Sequence, residues 1–117
     1  MLPAINRLRS SKDFVRTTKT GLRATTPSLV LYTLTHSDFP MDSRVGLIIN
    51  SSVGGSVTRH RIARKLRHTL RDHLGKLPHQ SMIVVRVLRN SEDYAYDLIR
   101  AINTTHTKLS NNEKVSQ

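Results

Sequence analysis

Three stretches of this 117-residue chain are rich in apolar and β-branched residues. They cover residues 28–35, 44–50 and 81–88, and residues typical of turns separate them from their neighbours. Short runs of this composition are typical of β-strands, whereas helices usually show longer patterns with a period near 3.6 residues. The pattern therefore predicts three clear strands.

Three other segments have the signals of helices. Ser10 and Asp13 have the spacing of a helix start, and this helix is predicted to continue to about Lys19 and to end at Gly21. Ser91 is predicted to cap a last helix, which carries apolar residues at helical spacing. These apolar residues are Ala95, Leu98, Ile99 and Ile102. The order is α, one strand, one or two strands, α, β, α, which predicts a two-layer α/β (α+β) sandwich.

The third predicted helix, over residues 56–74, is strongly amphipathic. At 100° per residue its apolar side chains fall within about 120° of arc. They are Ile62, Leu66, Leu70, Leu74 and, just beyond, Leu77. The opposite side carries His60, Arg61, Arg64, Lys65, Arg67, His68 and Arg71. Gly75 and Pro78 are predicted to end the helix.

The loop before this helix, SSVGGS, contains the paired glycines Gly54 and Gly55. Paired glycines indicate either a backbone conformation that a side chain would forbid or the close approach of another group. We therefore expect the helix to begin at a tight or closely covered turn.

The charge distribution makes the cationic helix more informative. The chain has 19 Lys and Arg against 8 Asp and Glu, and its net charge is +11. Residues 1–76 hold 14 of the basic and 4 of the acidic residues, so most of the positive charge lies there. Six like charges between Arg59 and Arg71 repel one another, and no acidic residue relieves this before Asp72. This pattern favours a nucleic-acid partner.

Two other anionic partners fit less well. An amphipathic helix at a membrane surface usually carries Trp or Phe, whereas the apolar side of this helix has only Ile and Leu. A DNA-reading helix usually follows a second helix at turn spacing, and none is predicted there. No apolar run approaches the roughly 20 residues of a membrane span, and we expect a soluble, cytoplasmic protein.

Protein-borne catalysis is not expected from the residue types present. The chain has no cysteine, which excludes a disulfide, a thiolate metal site and a thiol nucleophile. His68 and His73 are five residues apart, rather than the four that would place them on one helical face for zinc. The carboxylates are few and scattered. Phe14 and Tyr32 could stack on unpaired bases or belong to the core, and the pattern alone does not decide between these roles.

The run RVGLIINSSVGGSVTRHRIARKLR, with RLRSSKDF and LVLYTL upstream, resembles the protein subunit of bacterial ribonuclease P. That family has a strand, a glycine-containing loop and a helix that starts with an Arg-Asn-Arg type motif, here Arg59-His60-Arg61. The resemblance covers about residues 7–105. It implies an αβββαβα fold of the ribosomal-protein-S5-domain-2-like type, with a left-handed βαβ crossover. We expect a single RNA-binding domain over residues 1–106 and a polar, flexible tail over residues 107–117.

The resemblance also implies a function. The family binds the catalytic RNA subunit of ribonuclease P and the 5′ leader of precursor tRNA, and it assists the endonucleolytic removal of that leader. The RNA and its Mg²⁺ ions carry out the hydrolysis, so the protein is expected to hold no catalytic residue, metal or other cofactor itself. The alternative is a structural RNA-binding protein of the ribosomal type, and a third possibility is a DNA-binding regulator.

Residue roles follow from the same resemblance. The residues expected to contact the catalytic RNA are Gly54, Gly55, Arg59, His60, Arg61, Arg64, Lys65, Arg67 and Arg71. Those expected in the cleft for the leader are Phe14, Arg16 and Tyr32. The chain departs from the family pattern at several positions: His60 replaces Asn, Gly55 replaces Asn, Ala63 replaces a basic residue, Ser51 and Ser52 replace a Lys pair, and Thr18 replaces a second aromatic.

Overall fold

The structure is a computed structural model that describes the backbone of residues 2–115 and the side chains of residues 2–111. Within this range the chain forms three α-helices and four β-strands. In chain order these are α1 (Ser11–Thr20), β1 (Leu22–Thr25), β2 (Leu29–Thr35), β3 (Arg44–Ile49), α2 (Ser56–Asp72), β4 (Ser81–Val87) and α3 (Tyr94–Val115). The predicted order αβββαβα is therefore confirmed.

The four strands form one mixed sheet in the order β1-β2-β4-β3. β2 pairs antiparallel with both β1 and β4, whereas β3 and β4 are parallel and are joined through α2. The apolar pattern alone left β1 open, and the reason is its composition: only one of its four residues, Ala24, is buried. The sheet places β2 and β3, the second and third strands along the chain, on opposite sides of β4.

One face of the sheet carries the main hydrophobic core. α2 and α3 cover this face, and α2 contributes Ile62, Leu66 and Leu70 to the cluster. The strands contribute side chains at alternate positions, as a pleated sheet requires. The strand residues in the cluster are Ala24, Leu29, Leu31, Val45, Ile83, Val85 and Val87. Burial of this face fixes the orientation of α2 and leaves its cationic side directed at solvent.

The opposite face of the sheet carries a smaller cluster, over which α1 packs. Its buried members are Leu8, Val30, Tyr32, Met82 and Val84. Phe14, Leu34, Phe39 and Ile48 pack against them and remain partly exposed. α1 is only ten residues long, so it covers only part of this face and leaves these four side chains partly exposed beside it.

The predicted end of α2 requires correction. α2 ends at Asp72, before Leu74 and Leu77, and a 3-10 turn over Leu74–Lys76 follows it. The backbone N–H of His73 already bonds to the carbonyl of Leu70, three residues back, which tightens the last turn. Leu77 is nevertheless buried, because the turn directs it into the same core.

The last helix starts later and ends later than predicted. Ser91 lies outside α3. Its backbone N–H donates a hydrogen bond to the hydroxyl of Tyr94 at 2.9 Å. The helix continues past residue 106 because covered side chains recur every four residues, at Ala101, Thr105 and Leu109. Most of the segment that the sequence predicts as a tail is therefore helical backbone, and residues 116 and 117 lie outside the described part.

Candidate nucleic-acid interface

The outer side of α2 carries a row of exposed cationic side chains. Arg61, Arg64, Lys65 and Arg67 are all exposed, and none has a carboxylate within 4 Å among the residues whose side chains are described. Arg71 differs, because its Nε lies 3.8 Å from a carboxylate oxygen of Asp72. That pair is itself exposed and contributes little to stability. The predicted row is thus present, and most of its charge is unpaired.

The N-terminal segment forms a second wall beside this row. The backbone N–H of Leu8 donates to the carbonyl of Val45 at 2.9 Å, and Arg7 Nε donates to the carbonyl of Leu2 at 3.0 Å. These bonds hold Arg7 next to α2. The N-terminal segment and α2 together form a groove of about 870 Å³, which we call the α2 groove. It is lined by Arg7, Val57, His60, Arg61, Arg64, Arg67 and His68.

Arg7 and His68 are therefore part of this surface, although neither was assigned to it from the sequence. The signal for His68 was present in its position on the cationic side of α2. Arg7 gave no such signal, since it is 54 residues away from Arg61 and reaches the groove only through the bridge between Arg7 and Val45. Lys65 faces the other way, toward two smaller cavities near the start of α3.

Arg59 does not belong to the exposed row. At 100° per residue it lies on the same side of α2 as Leu66 and Leu70, and it is only partly exposed. Its Nε is buried and has no hydrogen-bond partner among the described residues. The family resemblance grouped Arg59 with Arg61 in one motif, whereas the helical period separates them by about half a turn.

The two glycines before α2 have different roles. The φ of Gly54 is 163° and that of Gly55 is −69°, and both values belong to extended backbone that other residues also adopt. A Cβ on Gly54 would lie 2.8 Å from Thr58 Cγ2, so Thr58 approaches the chain closely there. A Cβ on Gly55 would meet nothing within 4 Å. Within the described chain a close approach is thus present at Gly54, and the space beside Gly55 is open.

The strand register defines a second surface, on the sheet face beside α1. Tyr32 pairs with Arg23 on β1 and with Val84 on β4, and Val84 pairs with Gly46 on β3. The neighbouring row contains Val30, Arg86 and Ile48. We call this surface the α1 cleft; besides these residues it contains Phe14, Arg16, Phe39 and Arg44.

Phe14 and Tyr32, the two aromatics predicted here, are both largely used in packing. The Phe14 ring lies on Gly46, where a Cβ would come within 2.2 Å of the ring carbon Cζ. Tyr32 is only 5% exposed, and the guanidinium carbons of Arg23 and Arg86 lie 5.8 and 5.7 Å from its ring centroid. Tyr32 therefore supports two arginines and offers little free ring surface to a base.

The remaining predicted cleft residue, Arg16, points to an aromatic that was not predicted. Its guanidinium carbon lies 5.3 Å from the ring centroid of Phe39, which belongs to the loop between β2 and β3. At the α1 position of Thr18, the hydroxyl donates back to the carbonyl of Phe14 at 3.1 Å. The second ring of this cleft is thus supplied by a loop instead of by α1.

No group of three His, Cys, Asp or Glu residues lies close enough to hold a metal ion within the described part of the chain. No helix in that part is long and apolar enough to cross a membrane. Burial raises the pKa of Tyr94, against the opposing effect of the hydrogen bond from Ser91, but this hydroxyl lies in the core beneath α3. The two cationic surfaces present mainly arginine side chains, whose planar guanidinium groups suit phosphate oxygens.

Comparison with known proteins decides the family. The sequence model described as Ribonuclease P matches residues 2–109, nearly the whole chain. The chain belongs to the ribonuclease P protein family. Two relatives, each named ribonuclease P protein component, agree with this. The one from Mycolicibacterium gilvum is 39% identical over 92% of both chains, and the one from Streptomyces avermitilis is 37% identical over 80% of this chain and 81% of that protein.

Solved structures of ribonuclease P proteins have the same fold. That from Staphylococcus aureus has a TM-score of 0.71 at 20% identity and covers 89% of this chain and 94% of its own. That from Thermotoga maritima has a TM-score of 0.63 at 24% identity and covers 90% and 92%. Ribonuclease P is a nuclease of tRNA processing, so the family assignment gives this chain a role in an endoribonuclease complex.

Proposed function

We propose that this protein binds the catalytic RNA of ribonuclease P through the α2 groove and the 5′ leader of precursor tRNA through the α1 cleft. The observation that supports the first contact is the row of exposed, unpaired cations on α2, joined by Arg7. Like charges held this close repel one another, and the phosphates of a folded RNA would relieve that repulsion. The protein would act in the cytoplasm as part of a ribonucleoprotein.

The α1 cleft supports the second contact. A single-stranded leader can be held without strict sequence recognition by cationic groups along its backbone and by aromatic rings. Arg16, Arg23, Arg44 and Arg86 supply the cationic groups. Because Tyr32 is buried, we expect the arginines to contribute more of the binding than base stacking does.

The proposed mechanism leaves hydrolysis to the RNA and its Mg²⁺ ions. The protein contributes positive charge where two polyanions must approach each other, and it thereby replaces part of the screening that Mg²⁺ supplies. It also holds the leader beside the catalytic RNA, so that substrate binding gains from a second attachment point. Residues 1–106 would be sufficient for both contacts.

The test is reconstitution with ribonuclease P RNA and precursor tRNA at low Mg²⁺. We expect the protein to restore 5′ cleavage under conditions in which the RNA alone is inactive. Bovine serum albumin and this protein after irreversible heat denaturation serve as controls for nonspecific stabilisation. No restored cleavage, together with tight binding to ribosomal RNA, would contradict the proposal and would favour a structural RNA-binding protein instead.

A further inference from the structure

The loop that carries Phe39 is fixed to the start of β4 by Gln80. The backbone N–H of Gln80 donates to the carbonyl of Met41 at 3.0 Å, and its carbonyl accepts from the N–H of His36 at 3.1 Å. Its side-chain Nε2 donates to the carbonyl of Ser37 at 2.9 Å. These bonds connect residues about 40 positions apart in the chain. The loop between β2 and β3 therefore has a defined position next to the sheet.

Gln80 itself adopts an unusual backbone conformation. Its φ is 53°, the only positive value at a non-glycine residue in the described part of the chain. L residues other than Asn and Asp seldom adopt this conformation. The hydrogen bonds from Gln80 to both ends of the loop compensate for it, so the loop geometry and this conformation depend on each other.

The Phe39 ring brings together two arginines from different elements. The guanidinium carbon of Arg16, on α1, lies 5.3 Å from the ring centroid, and that of Arg44, at the start of β3, lies 5.9 Å from it. The His36 ring packs against Phe39 with centroids 5.4 Å apart. Phe39 is itself partly buried against the smaller apolar cluster. One ring thus determines where two cations sit at the edge of the α1 cleft.

The protein leaves Arg16 without an ion-pair partner among the described residues and gives Arg44 one at long distance. Arg16 is exposed, and no described carboxylate lies within 4 Å of it. Arg44 Nη1 lies 3.9 Å from a carboxylate oxygen of Asp13, but its Nε is buried and has no hydrogen-bond partner among the described residues. The ring attracts both guanidinium groups without removing their charge. An anion at this place would balance the charge of Arg16 and the part of the Arg44 charge that Asp13 leaves.

We propose that Phe39 is a positioning residue, which holds Arg16 and Arg44 so that they bind the phosphate backbone of a single-stranded RNA segment. This inference rests on the proposed function, because it takes the segment to be the 5′ leader. Planar guanidinium groups suit phosphate oxygens, and a ring that limits their rotamers lowers the entropy lost on binding. The site recognises phosphates, so it does not depend on the leader sequence.

The test compares two precursor tRNAs in the assembled holoenzyme, one with a leader of several nucleotides and one with a single-nucleotide leader. The measured quantity is the dissociation constant of the short-leader precursor divided by that of the long-leader precursor. We expect Phe39→Leu to reduce the advantage of the long leader by about two- to fivefold. Phe39→Tyr, which keeps the aromatic ring, should retain it. Arg16→Gln and Arg44→Gln should each reduce it by about tenfold, since each removes a charged phosphate contact.

The matched control is Arg100→Gln. Arg100 is also an exposed arginine beside an aromatic ring, that of Tyr96 at 5.6 Å, but it lies on α3, on the other side of the sheet. It should leave the ratio unchanged while it removes the same charge. Gln80→Gly is a second way to change the loop, because glycine accepts the positive φ and only the side-chain hydrogen bonds to the carbonyls of Ser37 and Phe39 are lost. It should lower the ratio without unfolding the protein.

Three results separate the possibilities. A ratio that stays the same in Phe39→Leu and Gln80→Gly would overturn the inference. Equal losses for both precursors would also overturn it, because they would indicate a purely structural role for the loop. A wild-type protein that fails to restore cleavage would instead reject the proposed function, and that failure is observed in the cleavage assay before any variant is compared.

Discussion

The α2 groove and the α1 cleft both present arginines, but they hold them in different ways. In the α2 groove every cation except Arg7 stands on one helix, whose other side is fixed by Leu66 and Leu70 in the main core. In the α1 cleft each arginine comes from a different element and lies against an aromatic ring. The first arrangement gives a broad field of charge, and the second gives a few charges in set positions.

The two arrangements suit two different kinds of RNA partner. A folded RNA presents many phosphates on a rigid surface, and a row of mobile side chains on a rigid helix can adjust to it. A single strand is flexible, so a receptor gains by supplying fixed groups that reduce the entropy lost on binding. If so, the α2 groove depends on the stability of the core beneath it, and the α1 cleft depends on particular packing contacts.

The largest effect is expected in the core beneath the α2 groove. Leu66 is fully buried between α2 and the sheet, and Leu66→Ala should lower the free energy of unfolding by about 2–5 kcal/mol through lost burial and a cavity. Val57→Ala on the same helix is the control, since Val57 is 72% exposed. Chemical denaturation measures both. Similar values for the two variants would show that α2 is not anchored as described.

The next effect is expected in the α1 cleft. Gly46→Ala places a methyl group where the Phe14 ring now lies, so the ring must move, and the free energy of unfolding should fall by about 1–3 kcal/mol. Gly75→Ala is the matched control, because a Cβ there meets nothing within 4 Å. Leader binding should weaken in Gly46→Ala, whereas binding of the catalytic RNA should not. Loss of both would mean that the two surfaces are not independent.

The local sequence was enough for α2 and not for the α1 cleft, and the reason is physical. The cationic and apolar sides of α2 repeat with the helical period, so they can be identified within 17 residues. Arg44, Phe39 and Arg86 meet only through strand register and a loop fixed by Gln80, and no local pattern encodes such pairing. Arg59 was assigned through the family motif, and its position on the apolar side of α2 shows that motif order ignores which side of the helix a residue occupies.

The resemblance to a family supplied what the pattern left open, including the strand β1. Its implied cleft residues were only part of the answer. Thr18 suggested a cleft lacking one aromatic, whereas Phe39 provides that ring from a part of the chain outside the quoted motifs. Gly46 belongs to the motif RVGLIIN, but the reason for a glycine there is a contact with the Phe14 ring, which the local sequence does not encode.

The smallest effect is expected in the pH dependence of stability. Burial raises the pKa of Tyr94 above its ordinary value of 10.0, so the folded protein holds this proton more tightly than the unfolded chain does. Its contribution is complete below about pH 10 and is lost as the pH rises above that. Tyr94→Phe keeps the ring and should make the alkaline loss of stability less steep. An identical slope in both proteins, measured by denaturation from pH 8 to 11, would contradict this.

The most direct test of the central claim is the salt dependence of binding to the catalytic RNA. If the four unpaired arginines of the α2 groove neutralise about four phosphates, the logarithm of the affinity should fall with the logarithm of the salt concentration with a slope of about −3 to −4. Arg64→Gln with Arg67→Gln should make this slope less negative by about 1.5, and Arg100→Gln should not change it. An unchanged slope in the double variant would contradict the account.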